Sequence, residues 1–376
     1  MLFLPPLSLY LHIPWCMKKC PYCDFHAIAL QREVSLKEYV KHLLMDLEHD
    51  IQLIASRTVN TLFIGGGTPS LLSASVMKSL LDGIRQRVSL APNAEITMEA
   101  NPGTVEADRF MSYQKAGINR ISIGVQSFNQ EQLFRLGRIH RPEDARYAAR
   151  LAISLGLRNF NLDLMHGLPE QSLSGALNDI AQAIALKPPH VSWYQLTIEP
   201  NTLFASKPPI LPNSDTLWDI YQNCNQVLTS AGYQQYEISA YAQPGFQCRH
   251  NLNYWRFGDY LGIGCAAHGK LSLPDGRVMR TIKTRSPYSY MQGNYLAKHY
   301  EVLPADLTLE YFMNRFRLME ACPRIEFTTF TGVSETTVRS ALDQALTGNY
   351  ITENITHWQI TDKGRLFLNS LLELFI

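Results

Sequence analysis

An excess of charge of either sign is missing from this sequence. Its 34 Lys+Arg stand against 33 Asp+Glu, a formal net charge of +1, which leaves no global field to draw in nucleic acid or an anionic lipid surface. No nucleic-acid partner is expected. Long hydrophobic runs are missing too: none reaches the roughly 18 apolar residues that suggest a membrane-spanning helix. The apolar start MLFLPPLSLYLHIPW has no Lys or Arg, no small-residue cleavage site, and prolines that interrupt it, so it reads as structure and not as an export signal. Seven cysteines, an odd number, together with that missing signal point to a reducing cytoplasm, where cysteines are free, catalytic or metal-bound. A chain of 376 residues has no need of disulfides to bury a core.

What is present is alternation. Short β-rich runs (LSLYLHI, TLFIGG, AEITMEA, RISIGVQ, FNLDLM, VSWYQLTI, QYEISAY) are interleaved with amphipathic helical patterns. In EYVKHLLMDLEHDIQLI, for example, Val40, Leu43, Leu44, Leu47, Ile51 and Ile54 share one helical face. Strand and helix in turn imply a parallel sheet, either open and doubly wound or a full or partial TIM-like barrel. The unusual residues favour the barrel. Cys16, the glycines of GGGTPS, Glu99, Gln126 and Asp163 all fall at or near the C-terminal ends of successive strands, which converge on one mouth in a barrel. The expected fold is a partial (β/α)6 barrel over residues 1–235, a barrel-closing segment over 236–300, and a small C-terminal α/β module over 301–376. The last reads as helix, helix (with Ser334 as N-cap), hairpin and helix, a winged-helix pattern. Its second helix carries a single Arg and an Asp, so a structural or docking role is favoured over DNA binding.

The stretch HIPWCMKKCPYCDF puts Cys16, Cys20 and Cys23 within eight positions. Thiolates hold soft metal centres. With His26 the three could close a structural zinc site, which makes a zinc-stabilised, non-redox binding module one reading. Structural zinc sites usually pair two ligand knuckles, however, and no second pair follows. A 4Fe-4S cluster held by three cysteines leaves one iron open for a ligand, and chemistry at that iron is the preferred reading.

C-x3-C-x2-C directly after a first strand, with Tyr22 before the last cysteine, is the signature of radical S-adenosylmethionine (SAM) proteins. With GGGTPS, MEANP, ISIGVQSF, DLMHGLP and GIGCAAHG, it resembles the family of the oxygen-independent coproporphyrinogen III oxidases over essentially the whole chain. The resemblance implies a 4Fe-4S cluster on Cys16, Cys20 and Cys23 whose open iron chelates the methionine moiety of SAM. It further implies a role for Tyr10 near the cofactor, although a core aromatic is an equal reading. Gly66, Gly67 and Thr68 would lie against the cofactor's amino group, Glu99 and Asp163 on ribose hydroxyls or the amine, Gln126 as donor and acceptor, and Arg138 on the carboxylate. An exposed surface arginine is the plain alternative for Arg138.

Two departures bear on the subfamily. The oxidases carry a further Cys two positions after the third cluster cysteine, where this chain has Phe25, and they have an N-terminal extension, whereas here only fifteen residues precede Cys16. The sequence instead resembles the branch of that family regarded as heme chaperones, which implies heme and heme-accepting proteins, respiratory hemoproteins among them, as partners. A flavodoxin-type electron donor is a further expected partner. The SAM-dependent coproporphyrinogen III dehydrogenase is the rival reading. The branch carries an H-N-x-x-Y-W segment, present as HNLNYW, so His250 is the expected heme ligand, with Tyr254 and Trp255 stacking on the macrocycle and Cys248 and Cys265 as competing thiolates.

Overall fold

The computed structural model describes residues 4–30, 34–104 and 107–376. Its centre is one twelve-stranded sheet. Six strands alternate with helices: β1 (Leu7–Ile13), β2 (Val59–Gly66), β3 (Leu90–Ala100), β4 (Arg120–Gln126), β5 (Phe160–His166) and β6 (His190–Gln195), all parallel neighbours in that order. A short hairpin, β7 (Gln234–Glu237) and β8 (Ala240–Ala242), adds antiparallel to β6 through β8. On the other side β9 (Asp259–Ile263) lies parallel to β1, followed by the meander β10 (His268–Ser272), β11 (Val278–Lys283) and β12 (Leu296–Glu301). The edge strands β12 and β7 do not pair with each other among the described residues, so the sheet is open, a partial barrel. The run QYEISAY, read as one strand, is instead the β7–β8 hairpin, broken at Ile238–Ser239.

Period-two alternation sorts the two faces. Leu9, Leu11, Leu62, Ile64, Ile96, Met98, Ile121, Ile123, Leu162 and Val191 enter the apolar core. Helices α1 (Leu36–Asp50), α2 (Ala74–Arg85), α3 (Ala107–Ala116), α4 (Pro142–Ser154), α5 (Leu173–Ala185) and α6 (Ser214–Ser230) connect the strands, and each contributes buried residues to that core. The alternate positions carry a buried polar layer: Ser8, Thr61, Glu95, Arg120, Asn161 and His190. Buried polar groups need partners, and these find one another: Ser8 and Thr61 hydroxyls lie 2.7 Å apart, and His190 Nδ1 is 2.6 Å from Asn161 Oδ1. Helix α7 (Arg249–Trp255) plugs this polar layer. Its His250 amide donates to Glu95 (3.0 Å) and its ring bonds Thr61 (2.8 Å).

The C-terminal module has a core of its own, built around Tyr311, Phe312, Phe327, Leu342 and Trp358, that also takes in Phe257 and Val278. Its helices α8 (Pro304–Arg315), α9 (Arg324–Thr331) and α10 (Arg339–Thr347) precede a hairpin whose second strand, His357–Ile360, also pairs with Cys322–Pro323. Helix α9 is the element the sequence pattern missed. Ser334 caps a 3-10 turn, Glu335–Val338, that leads into α10. Among the described residues no helix is long and apolar enough to cross a membrane.

Candidate functional site

A cavity of about 490 Å3 sits over the C-terminal ends of β2 to β6. Its mouth is the cysteine loop. Trp15–Cys16 pairs with Ile28–Ala29, Leu30 N–H donates to Cys16 O (2.9 Å), and Cys23 N–H to Cys20 O (3.2 Å), so the backbone turns back on itself and presents Cys16, Cys20 and Cys23 to the cavity. Two anchors hold the loop down. His12 on β1 reaches His26 O (2.8 Å) through Nε2, and Tyr22 packs on the cluster of Leu136, Met165, Leu168, Leu196 and Phe204. The three thiols are unpaired; burial, and then the other two thiols, push Cys16 up to about 11.

The loop fits an iron–sulfur cubane better than a single ion. Three thiols on one short loop are the donor set of a cubane that keeps one iron open, whereas a structural zinc ion takes four protein ligands. His26, the would-be fourth zinc ligand, turns instead to Cys265, with Nε2 3.8 Å from its Sγ. Cys265 and Cys248 are buried and hydrogen-bonded, to Arg285 O (3.0 Å) and the Glu95 carboxylate (3.6 Å). Cys224 and Cys322 lie in the two apolar cores.

Behind the cysteines the structure brings together Gly66, Gly67, Thr68, Glu99, Gln126, Arg138 and Asp163. The glycines are required by space. Gly66 has φ +112°, and a Cβ on Gly67 would stand 2.4 Å from the Trp15 carbonyl oxygen, beside the backbone that carries Cys16. Glu99 accepts from Gly66 N–H (3.0 Å), and burial, then the neighbouring Asp163, push its carboxyl up to about 8. Asp163 is also raised by burial, against hydrogen bonds from Ser122 (2.9 Å) and Asn161 (2.7 Å). Gln126 follows a register shift at the end of β4 and is held at φ +68°, its Oε1 accepting from Tyr194 OH (2.7 Å). Arg138 donates to Gly124 O (2.7 Å), and its Nη1 lies 3.9 Å from Cys20 Sγ. It is thus a cavity residue and not a surface arginine.

Two expected site residues lie elsewhere. Tyr10 sits behind the cavity, with its hydroxyl 2.9 Å from His12 Nδ1 and its ring stacked on Phe63, so it steadies the histidine that anchors the cysteine loop. His250 is 1% exposed, stacks on Phe63, and has both ring nitrogens engaged, by Thr61 (2.8 Å) and Tyr254 OH (3.1 Å); burial holds it down to about 3. It belongs to the plug and not to the cavity lining. Ser122, Ser192 and Tyr194 also line the cavity, and period-two alternation in β4 and β6 carries the signal for them. No local pattern marks Arg317, which reaches the cavity from the C-terminal module.

An open parallel sheet with a three-cysteine loop over its strand ends is the architecture of the radical SAM superfamily, and the model of that superfamily matches residues 10–181. The solved structure of the coproporphyrinogen III oxidase HemN from Escherichia coli, a radical SAM enzyme, has the same fold: TM-score 0.83 at 24% identity, covering 99% of this chain and 90% of that one. The heme chaperone HemW of Escherichia coli K12 is 65% identical over 376 residues, the full length of both chains, and that of Haemophilus influenzae Rd is 57% identical over 99% of this chain and 98% of its own. The chain belongs to the HemW family.

Proposed function

We propose that this protein is a heme chaperone, binding heme and passing it to acceptor proteins, with a 4Fe-4S cluster on Cys16, Cys20 and Cys23 and an exchangeable SAM beside it. The observation that carries this is the 65% identity to a heme chaperone across the whole of both chains. Phe25, 61% exposed at the cavity mouth where the oxidases carry another cysteine, agrees with it. Cluster and SAM together supply one-electron chemistry at a carbon–sulfur bond when bound. The chain's own part is to hold and orient: Gly66, Gly67 and Thr68 admit the methionine end, Arg138 pairs with its carboxylate, and Glu99 and Asp163 receive its amine or the ribose hydroxyls. Gln126, fixed by Tyr194, offers an acceptor and a donor at one place. Heme does not fit at His250 as folded, because both ring nitrogens are already bonded inside the plug.

The test is anaerobic reconstitution with iron and sulfide, then parallel assays of stoichiometric heme binding and of coproporphyrinogen III conversion with SAM and a reductant. Heme binding without conversion is expected. Conversion would make the protein an oxidative decarboxylase instead.

Glu99 gives this reading a pH signature. With its folded pKa raised to about 8, the group is neutral below pH 8, and a cationic ligand, preferring the carboxylate, must expel its proton. SAM affinity is therefore expected to rise with pH below 8, by up to about tenfold per unit between pH 6 and 7, with proton release visible by calorimetry in buffers of different ionisation enthalpy. Glu99→Gln removes the release. Equal proton release in the variant would separate Glu99 from the ligand.

A further inference from the structure

The cavity does not end at the SAM residues. Its far side is walled by Glu237 and Ser239 of the β7–β8 hairpin, Asn251 and Trp255 of α7, and Arg317 of the C-terminal module. The turn after α8 is clamped in place: Leu318 bridges Glu237, Met319 N–H donates to Tyr236 O (3.0 Å), and Glu320 receives a two-pronged pair from Arg256 (2.7 and 2.6 Å). This fixes the Arg317 guanidinium 4.4 Å from the centre of the Trp255 ring and 3.3 Å from the Glu237 carboxylate. The pairing is incomplete. Arg317 Nε and Trp255 Nε1 are both buried without a hydrogen-bond partner, two donors at one end of a cavity.

From this geometry we infer that Arg317, Trp255 and Glu237 form a carboxylate subsite for a flat, carboxylate-bearing macrocycle, with Arg317 receiving a propionate and Glu237 occupying Arg317 until the ligand arrives. The inference rests on the heme reading and deepens it. A guanidinium offers five donors in a fork matched to a carboxylate, of which Glu237 engages one, and an indole beside it gives an apolar plane against which a ring system can lie. Glu237 is 4% exposed and also accepts from Ser239 N–H (3.0 Å), so its carboxylate stays in place when Arg317 turns to a ligand. The C-terminal module thereby becomes a contributor to the binding site.

The experiment compares iron protoporphyrin IX with its dimethyl ester, whose propionates are capped, on the reconstituted full-length protein. The wild type is expected to bind the free acid at least about tenfold more tightly than the ester. Arg317→Ala is expected to weaken the free acid by about tenfold or more and to erase the difference, with Arg317→Lys intermediate because it keeps the charge and loses the fork. Glu237→Gln, which releases Arg317 and leaves the hairpin amide an acceptor, is expected to tighten the free acid and leave the ester unchanged; this opposite sign cannot come from a damaged fold. A wild-type ratio of acid to ester affinity in Arg317→Ala, or a Glu237→Gln effect equal on both porphyrins, overturns the subsite. Failure of the wild type to bind either porphyrin overturns the heme reading itself.

Discussion

Replacing Cys16 by Ser is expected to leave the protein folded and without its cluster. Cys16 is 7% exposed, but its structural contribution is made through backbone bonds, in the Trp15–Cys16 pairing with Ile28–Ala29 and from Leu30 N–H to its carbonyl, and a serine keeps all of them. The sulfur alone is lost, and a neutral hydroxyl is a poor ligand for iron in a sulfide cubane. After anaerobic reconstitution, iron and sulfide per chain and the visible absorption should fall at least about tenfold, with near-UV circular dichroism of the apo-protein unchanged. Cys224→Ser is the opposite case: that thiol is fully buried in the apolar core, so the variant should load its cluster normally while losing about 1–3 kcal/mol of stability to an added hydroxyl. If Cys16→Ser loads fully, the cluster assignment is wrong. If it loads nothing yet delivers heme to an apo-hemoprotein at the wild-type rate, the cluster does not gate transfer.

Lys283→Met is expected to have the largest effect on stability. Lys283 is wholly buried and paired with Asp46 and with Asp50 (2.7 Å), themselves buried on α1. Asp46 also accepts from Tyr290 OH (2.6 Å) and from Gly264 N–H (3.1 Å), so one network ties α1, β11 and the GIG loop together. Removing the cation leaves two buried carboxylates without their counter-charge, which costs about 3–5 kcal/mol. Asp46, already pushed up by burial against the pull of Lys283, then takes a proton. Asp50→Asn in the same background should recover part of the loss. Lys41→Met, which breaks an exposed pair with Glu38, should stay within about 0.5 kcal/mol. A loss in Lys283→Met no larger than that of Lys41→Met would sink the argument.

Much of this architecture is legible in the chain because parallel strands are apolar on the helix-facing side and change character abruptly at their ends. Cys16, Gly66, Glu99 and Gln126 stand out for that reason, each breaking an apolar run where a strand stops, and Asp163 because it interrupts the apolar run within β5. The positions that mislead do so because sequence gives a residue's neighbours and not its face. HNLNYW advertises a histidine among aromatics, but α7 enters the sheet with His250 pointing into a layer of hydrogen-bonding partners, and it is Asn251 and Trp255 that reach the cavity. Arg317 is illegible for a different reason. Its importance comes from the docking of the C-terminal module on β7, a contact between segments some eighty residues apart that no local pattern encodes.

The pairing of β1 with β9 has a consequence for synthesis. A ribosome delivers β1 almost at once but β9 only after roughly two-thirds of the chain, and the plug that covers the polar layer arrives in the same late segment. Until then β1 has one bare edge beside the cysteines that follow it. The sheet is therefore completed only late in synthesis, and a chain interrupted before Ile263 leaves an unpaired strand edge next to three free thiols, a form open to both aggregation and oxidation.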